Sequence, residues 1–217
     1  MTAMATLVLM ASETIACRAT GVCTCGYSGL VETAERLIRS TQELLWERGY
    51  VGTSPKAIQV AAEAGQGSMY HHFSGKAELA KAAIERSAAE LQAAAAEQFS
   101  GEGTATERIT NYLERDRDVL KGCRIGRLTI DPEVMADPHL RAPIDETFTW
   151  LRARLTEIIA EGKQQGEYPA TLDAGQTAAT IAAVLQGGYV LARAADSAEP
   201  FELAVRGLVD LLEGVSG

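Results

Sequence analysis

Residues 54–73 constrain the fold of this chain more than any other stretch, because they read as two short helices set around a turn. Ser54 can cap a helix by accepting a backbone N–H, and Pro55 fits the first helical position because its missing donor costs nothing there. The second helix of the chain then runs from 55 to about 63. A third begins near Gln66 and carries Gly67-Ser68-Met69-Tyr70-His71-His72-Phe73, after which Ser74-Gly75-Lys76 breaks the chain. Ile58 and Ala61 with Met69 and Phe73 supply a small core that fixes the angle between the two.

The rest of the chain is also helical in pattern. From 31 to 49, Ala34, Leu37, Ile38, Leu44, Leu45 and Trp46 recur at helical spacing, and Gly49 stops the run. An Ala-rich fourth helix covers 77–99, and further helices are expected at 105–121, 138–164, 174–195 and 200–213, punctuated by Gly122, Pro132, Gly166, Pro169 and Pro200. No strand pattern competes, so the chain is read as all-α. Residues 1–30 are taken as an N-terminal tail without sustained structure, 31–76 as one domain, and 77–217 as a second domain joined to it through the 77–99 helix.

Charge limits what each part can bind. The net charge of −9 argues against a protein that coats nucleic acid, but residues 100–217 hold 12 basic and 19 acidic side chains, so any DNA site belongs in the N-terminal half. Uninterrupted apolar runs fall short of the roughly 20 residues that span a bilayer, and the opening ten residues carry no Lys or Arg, so neither a membrane anchor nor a signal peptide is expected. Cys17, Cys23 and Cys25 crowd the tail at spacings that suit a zinc site poorly. A reducing cytoplasm is the expected location, with no cofactor and no metal.

The third helix carries the chemistry. Gln66, Ser68, Tyr70 and His71 face outward and can hydrogen-bond phosphates or base edges. Gly67 lets the start of the helix lie close to a phosphate, and Ser54, Lys56 and Lys76 flank the unit as further contacts. His72 and Phe73 share a face with Met69 and are read as packing residues; adjacent histidines point about 100° apart on a helix and cannot chelate one ion.

From Leu37 to Leu79 the chain resembles the TetR family of bacterial regulators. The family pattern is met by Gly49-Tyr50, Thr53-Ser54, Ile58, Gly67-Ser68-Met69-Tyr70, His72-Phe73, Lys76 and Leu79. The resemblance implies a helix-turn-helix that reads double-stranded operator DNA, followed by a helical domain that binds a small effector and pairs two subunits through its last two helices. One departure stands out. The family's Ala-Gly turn aligns with Ala62-Glu63 here, and glutamate in a left-handed turn costs about 1 kcal/mol more than glycine. The expectation is a weakened operator contact, or one that leans on arginines elsewhere such as Arg36 and Arg39.

The C-terminal pattern supports pairing on its own terms. Ala178, Ala179, Ala182, Ala183, Gly187 and Gly188 form a smooth stripe along 174–195, and Leu208 and Leu211 lie on the helix that follows. Ala179, Ala183, Gly187, Leu208 and Leu211 are the expected homodimer interface, and a dimer can read a palindrome. Gly122-Cys123-Arg124-Ile125-Gly126 is similar to a signature of multidrug-export repressors. It implies a hydrophobic effector pocket bordered by Tyr112, Cys123, Met135, Phe148, Trp150, Leu151 and Tyr189. The switch expected from this layout is a repressor released from DNA when the effector moves the fourth helix. Two alternatives remain: Cys123 as a redox input activated by Lys121 and Arg124, or a helical adaptor without specific DNA binding. An enzyme is not expected, since no paired carboxylates, nucleophile with base, or phosphate-cradling loop emerges.

Overall fold

The computed structural model describes residues 24–216, with side-chain surroundings from residue 31 onward. The described residues form nine α-helices and no strand: α1 (Thr24–Arg48), α2 (Pro55–Ala61), α3 (Gln66–His72), α4 (Lys76–Phe99), α5 (Ala105–Glu114), α6 (Pro132–Ala136), α7 (Pro138–Gln164), α8 (Ala174–Ala195) and α9 (Glu199–Val215). A 3-10 turn, Gly126–Ile130, precedes α6. The all-α expectation holds. The helix expected from 31 starts at Thr24, so the end of the proposed tail is helical, and Cys17 and Cys23 lie outside the described residues.

Local chemistry sets the helix ends. Gly49 takes φ +72, a left-handed conformation that glycine adopts without steric cost, and so turns the chain out of α1. Ser54 caps α2 by accepting from Ala57 N–H at 3.1 Å. Asp137 and Asp173 cap α7 and α8 in the same way. The expected 105–121 helix ends early, at Glu114. Arg115 leaves helical geometry there, and the Arg117 guanidinium folds back to donate to the Tyr112 carbonyl, satisfying an acceptor that another helical turn would have used.

Three apolar clusters stack along the molecule. The first joins Leu37, Leu44, Ile58, Met69, Phe73 and Leu79 and fixes α1, α2 and α3. Ala62 completes it, whereas Ala61, expected there, is exposed. The second places Leu45, Tyr50 and Ile84 against Ile125, Leu128, Val134, Leu140 and Ile144, so α1 and α4 are built into the neighbouring domain as well as their own. The third fills the bundle of α5, α7, α8 and α9. Each buried Leu or Ile contributes roughly 1.5–3 kcal/mol of transfer free energy.

The small-residue stripe on α8 splits in two. Ala178, Ala182 and Gly188 face inward, and a Cβ on Gly188 would come within 2.9 Å of the Phe201 ring, so this glycine allows α9 to approach. Ala179, Ala183 and Gly187 stay exposed. By length and composition α8 is apolar enough to cross a membrane, although Gln176, Thr177, Thr180 and Gln186 interrupt it so that no apolar run reaches that length; its buried side packs on α7 and α9.

Candidate nucleic-acid interface and cavity

The outer face of α3 is open. Gln66, Gly67, Tyr70 and His71 are exposed, with Tyr70 at 48%, and Ser68 is half-buried. No side chain of the described residues approaches Gly67: a Cβ there would meet nothing within 4 Å, so the space beside it is free for an outside group. Lys56 is exposed on α2. Lys76 is less available than its place at the end of the unit implied, since its ammonium sits 3.7 Å over the Tyr50 ring. Of the two arginines weighed as extra contacts, Arg36 is engaged with the Ala62 carbonyl at 3.2 Å and with Glu32 at 3.5 Å, while Arg39 is exposed. His72 turns inward: its Nε2 is buried without a hydrogen-bond partner among the described residues, and its ring stands edge-on to His71, centroids 5.1 Å apart.

The turn between α2 and α3 has the strain anticipated from its sequence. Glu63 has φ +49, with Glu63 N–H bonded to the Val60 carbonyl at 3.2 Å and Ala64 N–H to the Gln59 carbonyl at 2.9 Å. This is the paired hydrogen-bond pattern that normally ends on glycine.

Behind this unit, residues 121–131 strap α1 to the C-terminal bundle. Trp46 Nε1 donates to the Gly122 carbonyl at 2.9 Å, and Arg124 pairs with Glu43 at 2.7 Å while lying over the indole. Arg127 donates to the carbonyls of Trp46 and Glu47. Asp131 closes the strap. Its Oδ2 accepts from Tyr50 N–H at 2.8 Å and Val51 N–H at 2.9 Å, while Oδ1 caps α6 through Glu133 and Val134. None of these long-range bonds has a signal in the sequence beyond the helix-start signature of Asp131-Pro132.

The strap forms one wall of a cavity of about 210 Å³. Tyr112, Cys123, Phe148, Trp150, Leu151 and Tyr189, six of the seven expected pocket residues, line it. The seventh, Met135, does not, because it lies on α6, which packs with the 3-10 turn and α7. The sequence reading missed Arg115 and Arg117, which also reach this wall after α5 stops short. Burial pushes the Tyr112 hydroxyl up to about 12, despite the two nearby arginines, so it is a neutral hydrogen-bonding group at physiological pH. A wider groove of about 750 Å³ opens on the other side of Cys123, between the 3-10 turn and α8. Gly122, Cys123, Phe148, Gln186 and Tyr189 are common to both spaces.

The expected dimer residues divide as the stripe does. Leu211 is 70% exposed, and Leu203, Val190 and Leu191 are exposed as well. Leu208 does not belong there: it is 5% exposed and packs in the subunit's own core.

A short exposed helix held at a fixed angle at one end, with a largely apolar cavity at the other, defines the class of helix-turn-helix regulators that carry their own sensor domain. Residues 37–83 match the family model for bacterial regulatory proteins of the tetR family, and residues 103–208 match the tetracyclin repressor-like C-terminal domain. The chain belongs to the TetR family, whose members are transcriptional regulators. It is 25% identical to the transcriptional repressor NemR of Escherichia coli strain K12 over 181 residues, which are 80% of this chain and 90% of NemR. A TetR regulator from Chloroflexus aurantiacus J-10-FL has a similar structure, with TM-score 0.77 and 26% identity over 87% of this chain and 98% of that one. So does a cysteine variant of the regulator CifR solved with 26 bp operator DNA, with TM-score 0.69 and 22% identity over 82% of this chain and 95% of that one.

Proposed function

We propose that this chain is a homodimeric repressor that reads a palindromic operator through α3 and leaves it when a small hydrophobic effector fills the cavity beside Cys123. The observation that carries this reading is the strap. The same short segment supplies a cavity wall through Gly122, Cys123 and Ile125 and the anchor of the α1 terminus through Gly122, Arg127 and Asp131. A ligand that displaces Cys123 therefore displaces the support on which α2 and α3 stand. This adds a route to the α4 movement expected from the sequence, since Leu91 and Ala95 of α4 line the same cavity.

In this reading Gln66, Gly67, Ser68, Tyr70 and His71 contact bases or phosphates, Lys56 and Lys76 clamp the backbone, and Ser54 holds α2 in place by its cap and contacts the flanking phosphate. The exposed faces of α8 and α9, with Ala179, Ala183, Gly187 and Leu211, pair two subunits so that the two α3 helices meet successive major grooves. Such a protein works where the chromosome is, which agrees with a cytoplasmic location.

Full release requires the effector to prefer the non-DNA state by about 5.5 kcal/mol to reverse a 99:1 population. Fluorescence anisotropy on the intergenic DNA upstream of the gene tests the reading. Tyr70→Ala is expected to lose operator affinity by roughly 1–3 kcal/mol with its preference relaxed, and Lys56→Ala to weaken all sequences and lower the salt slope by about 1. Equal binding by parent and Tyr70→Ala would instead support the adaptor alternative.

The redox reading of Cys123 loses its premise in part. Arg124 and Lys121, the cations held to activate the thiol, stack on Trp46 at 4.1 and 4.5 Å, and Arg124 is also paired with Glu43.

A further inference from the structure

The two spaces around Cys123 differ in charge. The inner cavity is walled by aromatic and aliphatic groups, among them Tyr112, Trp150 and Leu151, together with charges of both signs, Arg115, Arg117 and Arg124 with Asp116 and Asp118. The outer groove is lined by three guanidinium groups, of Arg127, Arg152 and Arg193, and by no carboxylate, in a chain of net charge −9. Arg127 spends its hydrogen bonds on two neutral carbonyls, which leave its charge uncompensated. Burial and then repulsion from Arg193 both lower its pKa. The guanidinium groups of Arg152 and Arg193 make no hydrogen bond or ion pair among the described residues. A lone surface arginine is simply solvated. Three that converge on one concave, apolar-floored groove focus a positive potential there.

We infer that the effector is an amphipathic organic anion, whose apolar body enters the inner cavity past Cys123 and whose head group is held in the groove by Arg152 and Arg193. Guanidinium groups favour a head with two or more acceptor oxygens, which they grip through paired N–H donors, so a carboxylate and a phosphate monoester share the required chemistry. The inference rests on the cavity being the effector site and adds the charge of what fills it. Binding would also relieve the repulsion between Arg127 and Arg193, and Arg127 holds the Trp46 and Glu47 carbonyls at the end of α1, so head-group capture bears on the same strap.

Calorimetric titration of the full chain with decanoate, phenylbutyrate, naphthoate and naphthyl phosphate, each beside its uncharged amide or alcohol, tests this. At least one anion is expected to bind about tenfold or more tighter than its neutral counterpart, with an advantage that shrinks at high salt. In the Arg152→Gln/Arg193→Gln double variant the ratio of anion to neutral affinity should fall towards one, and its thermal melt separates this from misfolding. A preference for carboxylate over phosphate, or the reverse, identifies the head group. Equal affinity for charged and neutral members, the result expected if carboxylates of a second copy already neutralise the groove, overturns the inference and leaves the effector site standing. An anion advantage that survives in the double variant overturns it too. Failure of every neutral and charged probe to bind, with operator binding intact, overturns both readings.

Discussion

Trp46 Nε1 donates to the carbonyl of Gly122 at 2.9 Å, which ties the last turn of the helix that supports the helix-turn-helix to the loop carrying the cavity cysteine. Both groups are buried, so the bond has no solvent substitute. Trp46→Phe would preserve much of the apolar packing and leave the Gly122 carbonyl unpaired, at a cost of about 1–3 kcal/mol in stability. The expected outcome by urea denaturation is a lower midpoint with an unchanged m-value. If the strap transmits the signal, the ratio of operator affinities with and without effector should fall at the same time; an undiminished ratio would place the transmission on α4 alone.

Glu63 stands at φ +49 in the turn between α2 and α3. Glu63→Gly removes the steric cost of that conformation and is expected to raise stability by about 1 kcal/mol, which for a chain of this length moves Tm by about 2–4 °C. It also removes a negative charge from the helix-turn-helix, so operator affinity should rise, most visibly at low salt. A lower Tm would mean that the glutamate makes a compensating contact in the native state.

The contrast between helix ends and long-range contacts shows what the sequence could reveal. The bounds of α7 and α8 were legible because Asp137-Pro138 and Asp173 are local capping signals, and α3 was legible because its apolar face and its polar face are set by spacing within one helix. Other features depend on partners far along the chain. Asp131 meets Tyr50 and Val51 across some eighty positions, and nothing local distinguishes it from any helix-capping aspartate. Periodicity puts Leu208 and Leu211 on neighbouring faces of an apolar helix, but which one faces inward is decided by the crossing of α9 over α8, where Phe201 seats against Gly188. The cavity was legible as a set of apolar residues flanking Cys123. Its arginines were not, because α5 had to end at Glu114 before Arg115 and Arg117 could turn toward it.

That assignment of faces on α9 separates two substitutions. Leu211→Glu puts a charge on an exposed apolar face and is expected to give a folded monomer by analytical ultracentrifugation, with operator affinity lost because one helix-turn-helix reads too little DNA. Leu208→Ala empties a buried site and should cost roughly 2–5 kcal/mol of stability. A dimer that persists in Leu211→Glu would move the interface away from α9.

The junction between α5 and the loop after α7 should give the protein part of its acid sensitivity. Glu167 accepts from Ala105 N–H at 2.8 Å and Thr106 N–H at 2.7 Å, holding the first turn of α5. Burial works to raise its pKa, but the hydrogen bonds from Thr106 and Ala105 outweigh it and hold the carboxyl below the ordinary glutamate value of 4.5. A carboxyl lowered in the folded state contributes stability that is complete above its unfolded value and is lost as pH falls through its folded one. Glu167→Gln keeps an acceptor oxygen but carries no charge. It should therefore be less stable than the parent near neutral pH, and the gap should close as pH falls from 4.5 through the lowered folded-state pKa and the parent protonates. Denaturation midpoints measured down that range decide the point: a gap that stays constant with pH would assign the contribution of Glu167 to packing rather than to its charge.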